Sequence, residues 1–112
     1  MLLIKRSWKL SEETWSVIKY KPKENCEEAF IEALTQLYKM MKDNKQYDYL
    51  NDFIKIEDTG EYVQIARMPS IDALIDGQVA GLEWLDSIDH LLERYPDESR
   101  TQAFSGIKIP MN

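Results

Sequence analysis

Phe53-Ile54-Lys55-Ile56-Glu57-Asp58-Thr59-Gly60-Glu61-Tyr62-Val63-Gln64-Ile65-Ala66-Arg67-Met68 sets two runs rich in β-branched and aromatic residues on either side of Asp58-Thr59-Gly60. Such residues fit a pleated, half-buried surface, and a glycine supplies the positive φ that a tight turn needs. The stretch predicts a hairpin with strands Phe53 to Glu57 and Glu61 to Met68. Downstream, Pro69 is followed by Ser70, a good N-cap, and then Ile71, Leu74, Ile75, Val79, Leu82, Leu85, Ile88, Leu92 and Tyr95 recur every three or four residues up to Pro96. That spacing predicts one long helix from Ser70 to Tyr95. Upstream, Asn25 and Glu28 have the form of a capping box, and Phe30, Leu34, Leu37 and Met41 continue at helical spacing. They predict an amphipathic helix over Cys26 to Lys42.

At the N-terminal end, Leu2 to Leu10 and Thr14 to Tyr20 favour strands around Ser11-Glu12-Glu13, an N-terminal hairpin; Ser11 is alternatively the cap of a short helix. Ile107 and Ile109, flanking Lys108, suggest a short terminal strand. The order ββαββα predicts an α+β domain: a small antiparallel sheet from two hairpins, with two amphipathic helices packed on one face. Four glycines and four prolines are too few for a linker, so residues 1–112 are read as a single globular domain.

The 112 residues carry 14 Lys plus Arg against 20 Asp plus Glu, a net charge of −6, and 44% are hydrophobic. This is too apolar for a disordered segment. Cys26 is alone, which excludes an internal disulfide and a cysteine zinc site. Met1-Leu2-Leu3-Ile4 precedes Lys5-Arg6, the reverse of a secretory signal. No apolar run approaches the roughly eighteen residues of a membrane span. A cytoplasmic location without membrane contact is therefore expected.

The charge is polarised. Residues 1–23 carry a net +4 and the remainder −10, and residues 68–98 alone carry −7, with Arg94 their one basic group. At about 100° per residue, Asp72, Asp76, Glu83, Asp86, His90 and Glu93 fall on one side of the predicted long helix. Leu74, Leu85, Ile88, Leu92 and Tyr95 fall on the other. Asp72 with Asp76, Glu83 with Asp86, Asp86 with Asp89, and Asp89 with Glu93 are like-charge neighbours that together cost about 1–2 kcal/mol at low salt. Two readings follow: an ordinary solvated face, whose cost a small domain tolerates, or a face that meets a basic partner. On a straight helix Ile75, Val79 and Leu82 turn toward the carboxylates, an apolar centre ringed by acids. A break at Gly77 or Gly81 would return them to the core. Trp84 lies at the boundary, either a core residue or an interface anchor. The candidate partner-binding set is Asp72, Asp76, Val79, Glu83, Trp84, Asp86, Asp89, His90 and Glu93.

Chemistry of other kinds has little support. His90 is the single histidine, so a metal site of several imidazoles is excluded, and any Ser-His-Asp or Cys-His site must use it. Asp86 and Glu93, at i−4 and i+3, would be its helical neighbours, able to raise its pKa or share a divalent cation, or it is a plain surface residue. Around Cys26, Glu24, Glu27 and Glu28 oppose a thiolate. No P-loop, dinucleotide fingerprint or EF-hand loop occurs. Trp8, Trp15 and Tyr20 among the lysines of residues 1–23 would suit nucleic acid, but the molecule as a whole repels a polyanion, and lysines on a hairpin also protect a sheet edge. No catalytic residue, cofactor, metal or direct nucleic-acid contact is expected.

In size, acidity and the helix Ser70 to Tyr95 with its run Trp84-Leu85-Asp86-Ser87-Ile88-Asp89, the chain resembles the immunity proteins of bacterial contact-dependent growth inhibition systems. The resemblance implies an acidic protein that neutralises a cognate toxin, a basic nuclease domain, by charge-complementary binding on the acidic face. The alternatives are a nucleic-acid-mimicking inhibitor or regulatory adaptor of a mobile element, and a small enzyme using His90.

Overall fold

A computed structural model describes residues 12–43 and 50–111. Its elements run β1 (Thr14–Tyr20), α1 (Glu27–Asp43), β2 (Leu50–Ile56), β3 (Glu61–Met68), α2 (Ile71–Ser87), a single 3-10 turn (Asp89–Leu91) and β4 (Gln102–Ile107). The strands form one sheet in the order β2-β3-β1-β4, and every neighbouring pair is antiparallel. Alternation β-α-β-β-α-β with this strand order is the split βαβ arrangement of ferredoxin-like domains. The α+β class with both helices on one face of an antiparallel sheet is therefore as the sequence implies.

The hairpin β2–β3 turns through Gly60 at φ 73°, in the left-handed region that favours glycine. β2 begins at Leu50, three residues before the expected Phe53. The first strand expected over Leu2 to Leu10 lies outside the described residues. β1 pairs with β3 on one side and with β4 on the other, so the C-terminal strand supplies an edge. That strand covers Gln102–Ile107, and Ile109 stays exposed beyond it.

Period-2 alternation sorts the strands into two faces. Tyr20, Tyr62 and Phe53 face the helices and meet Phe30, Ala33 and Leu34 of α1 in the main core, which Ile88 and Leu92 complete. The Phe30 ring lies 5.5 Å from Tyr20 and 5.2 Å from Tyr62, tilted contacts of the kind aromatic quadrupoles favour. The other face carries Trp15, Val17, Val63, Ile65, Ile54 and Phe104, and neither helix covers it.

Helix caps depart from expectation at one end. Asn25 stands at φ 68°, in the turn before α1, and it is the Cys26 carbonyl that accepts the first helical bond, from Phe30 N–H. The Asn25–Glu28 capping box does not form, because the left-handed backbone at Asn25 is not the extended conformation an N-cap adopts. Ser70 does cap α2, accepting from Ala73 N–H at 3.2 Å.

The predicted long helix stops at Ser87, eight residues short of Tyr95. Ile88 N–H turns back to the Leu85 carbonyl, a 3-10 turn follows, and Leu92 reaches an extended conformation to bridge Pro22. Burial decides this: Ile88 and Leu92 both enter the main core only because the chain changes direction between them.

Candidate functional site

α2 runs unbroken past Gly77 and Gly81, so no kink returns its outer apolar residues to the core. What those glycines do instead is keep its inward face small. Ala73, Gly77, Ala80 and Gly81 border the space between the helix and the sheet, Gly77 and Ala80 at its solvent-exposed margin, and a Cβ added at either glycine would meet nothing within 4 Å. Of the seventeen residues in α2, Ala73 alone is buried, against four in α1. The helix is anchored at its ends, by Ala73 and Leu74 over Ala66 and Met68, and by Trp84 and Leu85 over the main core. Between these anchors it stands off the sheet.

The gap is a cavity of about 370 Å³. Its walls are apolar: Ile18, Leu37, Met40, Ala66, Met68 and Leu85 among them. Gln78, Ala80 and Leu82 line it and are themselves exposed, so it opens to solvent beside α2.

The floor carries polar groups from the sheet. The Ser16 and Ser105 hydroxyls, from paired positions of β1 and β4, lie 2.6 Å apart. One mutual bond uses one of the two hydroxyl protons and leaves the other to donate elsewhere. Beside them, Tyr20 O–H donates to Gln64 Oε1 at 2.6 Å, and Gln64 Nε2 donates to Asn51 Oδ1 at 2.9 Å. Burial pushes the Tyr20 phenol well above its ordinary range, so it is a neutral donor in this network. Gln64 still has a second amide proton and Tyr20 its oxygen lone pairs.

The residues singled out in the sequence fall in three places. Asp72, Asp76, Val79 and Glu83 lie on the exposed outer side of α2. Trp84 turns inward: its Nε1–H donates to the Ala33 carbonyl at 3.1 Å, and its ring stands edge-on to Tyr20, centroids 5.9 Å apart. It ties α2 to α1 and borders the cavity, which makes it a structural anchor and not an outward one. Asp86, His90 and Glu93 do not share the helical face expected of them, because the helix ends at Ser87, and Asp89 lies in the turn beyond it.

That end is also not purely acidic. Arg100 reaches Asp86 at 2.7 Å and Asp89 at 3.1 Å, while Arg94 donates to both Asp89 oxygens at 2.8 Å. The hydrogen bonds from Arg94 and Arg100 hold the Asp89 carboxyl below its ordinary range. Because the chain turns back after α2, Arg94 and Arg100, five and eleven residues beyond Asp89, close the acidic run that the linear pattern left open. His90 is exposed in the 3-10 turn, at a shallow depression with Lys23, Glu24, Glu93 and Arg94. No group of three His, Cys, Asp or Glu able to hold a metal ion occurs among the described residues, and no described helix is long and apolar enough to cross a membrane.

The sequence pattern does not single out Ser16, Gln64 and Ser105, and it marks Tyr20 only as one of the aromatics among the N-terminal lysines. Their signal is a polar residue at helix-facing positions of the strands, which is visible only once the register is known. In α2 the matching signal is Ala73, Gly77, Gly81 and Trp84, small residues at helical spacing ending in a large one.

No protein-family model matches the chain, and no curated protein matches it. Two solved structures share its fold. Protein SO0527 from Shewanella oneidensis superposes with a TM-score of 0.72 at 14% identity, over 91% of this chain and 97% of that one. Rv0793 from Mycobacterium tuberculosis gives a TM-score of 0.66 at 18% identity, over 89% and 96%. At such identities the likeness establishes the fold and nothing about the reaction or ligand.

Proposed function

We propose that the chain binds a small, largely apolar molecule bearing one or two hydrogen-bonding groups, seated between α2 and the sheet. The observation that carries this reading is the cavity of about 370 Å³ with apolar walls and the Ser16–Ser105 and Tyr20–Gln64 pairs on its floor. Ligand sites are mostly concave, apolar and a few hundred Å³ in volume, with a small number of polar groups that fix orientation. A fused-ring phenol fits within this volume and has the polarity described, apolar rings with one hydroxyl. The rings displace water from the apolar walls, and the hydroxyl exchanges hydrogen bonds with the serine pair.

The test uses 2-naphthol and naphthalene as probes, titrated against the wild-type chain and against Gly77→Leu and Ser16→Ala. The side chain added by Gly77→Leu grows into open space, so the variant is expected to fold at least as stably while losing about tenfold or more in affinity for both probes. Ser16→Ala is expected to weaken 2-naphthol more than naphthalene, by a factor of about ten, because only the phenol uses the hydroxyl. Affinities unchanged in a folded Gly77→Leu chain would sink the reading.

A further inference from the structure

We infer that the outward face of α2 is a docking surface for a basic, amphipathic segment of another protein. Opposite its small inward face, α2 exposes Ile71, Ile75, Val79 and Leu82, spaced four, four and three residues apart, in one continuous stripe. Val79 is 68% and Ile75 54% exposed. A surface helix ordinarily turns such a stripe to the core, and contiguous exposed apolar patches mark interaction sites. The cavity explains why burial fails here: the inward face is given over to small residues, and the large aliphatic ones are left outside.

The charges select the occupant. Residues 71–87 contain no Lys or Arg, and Asp72 and Glu83 stand along one flank of the stripe, both exposed. Asp86, tied to Arg100, closes its C-terminal end. A partner that buries Ile75 and Val79 therefore brings its edge against carboxylates, which favours lysine or arginine there and speeds encounter at low salt. A second copy of this chain in antiparallel two-fold pairing of α2 with α2 is disfavoured, because it sets the same acidic flanks against each other. A basic toxin domain of the kind the immunity-protein resemblance implies is one protein that would present such a segment.

The surface is distinct from the cavity, apart from Leu82, which borders both. The two are therefore separable by substitution. A synthetic helical peptide with leucines at three- and four-residue spacing and lysines elsewhere serves as probe, with the glutamate version as control. It is titrated by NMR into the isotope-labelled full chain. Perturbations are expected at Ile71, Ile75 and Val79, with binding weakened about tenfold by Val79→Glu and its salt dependence flattened by Asp72→Lys with Glu83→Lys. Val79 is exposed enough that the variant should fold, which circular dichroism checks. Gly77→Leu should bind the peptide as wild type does, whatever becomes of small-molecule binding. Four results would each overturn the inference: equal binding of the glutamate peptide, perturbations confined to the sheet face opposite the helices, a change in sedimentation caused by Val79→Glu, or resonances of the stripe shifting when residues 1–11 are deleted. The third makes the occupant a second copy, and the fourth makes it the chain itself.

Discussion

Two glycines of this chain ask opposite things of a methyl group. Gly60 closes the β2–β3 turn at φ 73°, a conformation in which a Cβ crowds the following carbonyl, so Gly60→Ala is expected to cost about 1–2 kcal/mol. Gly77 is helical with open space around its missing side chain, so Gly77→Ala is expected to stabilise by up to about 1 kcal/mol through helix propensity alone. Urea titrations of the two variants should move the midpoint in opposite directions. Equal signs would mean that the space under α2 is smaller than the structure has it. The Gly60 turn could be read from Asp58-Thr59-Gly60 flanked by strand formers, since turn chemistry is local. That Gly77 borders a void could not, because a glycine in a helical pattern reads equally as a break, a close contact or an empty place.

The two helices differ in how they are held. α1 buries Phe30, Ala33, Leu34 and Leu37 at regular spacing, while α2 buries only Ala73 and relies on its Ser70 cap, Leu74 and the Trp84 bond to Ala33. Native-state hydrogen exchange should therefore find the amides of α1 opening at higher free energy than those of the middle of α2, Ile75 to Ala80. Uniform protection across both helices would contradict this. The amphipathic pattern of α1 is legible because its apolar stripe and its buried face coincide. In α2 they do not: the periodicity of Ile71, Ile75, Val79 and Leu82 locates the helix correctly, but a straight helix turns Ile75, Val79 and Leu82 toward the carboxylates while a break at Gly77 or Gly81 would bury them, and the unbroken helix leaves the stripe facing solvent. The C-terminal end misleads for a related reason. Leu85, Ile88 and Leu92 keep helical spacing through a place where the chain turns, and spacing alone does not register a change of direction.

Over the whole molecule, acid should act through the contact that joins the β2–β3 hairpin to the segment after α2. Tyr95 O–H donates to Glu61 at 2.7 Å, and Lys19 lies 3.3 Å from the same carboxylate oxygen. The Tyr95 bond is the main reason that the Glu61 carboxyl is held below its ordinary range, with Lys19 adding to it. A lowered folded-state pKa contributes stability above the unfolded value that is lost as pH falls through the folded one. Tyr95→Phe should therefore unfold more easily than wild type at neutral pH and lose less stability on acidification, as urea midpoints between about pH 7 and pH 3 would show. Parallel midpoint curves would remove Glu61 from the acid response. The amino-acid sequence by itself determined the class of the domain, the place of α1, the β2–β3 hairpin with its glycine turn, and the Ser70 cap, because each rests on local chemistry and on the period of the apolar residues. Only the tertiary structure decided that β4 pairs with β1, that Arg94 and Arg100 answer Asp86 and Asp89, that Trp84 points inward, and that a cavity opens under α2. Those depend on where the chain turns and on which residues then meet, and that is settled by how the helices and strands fill space against one another.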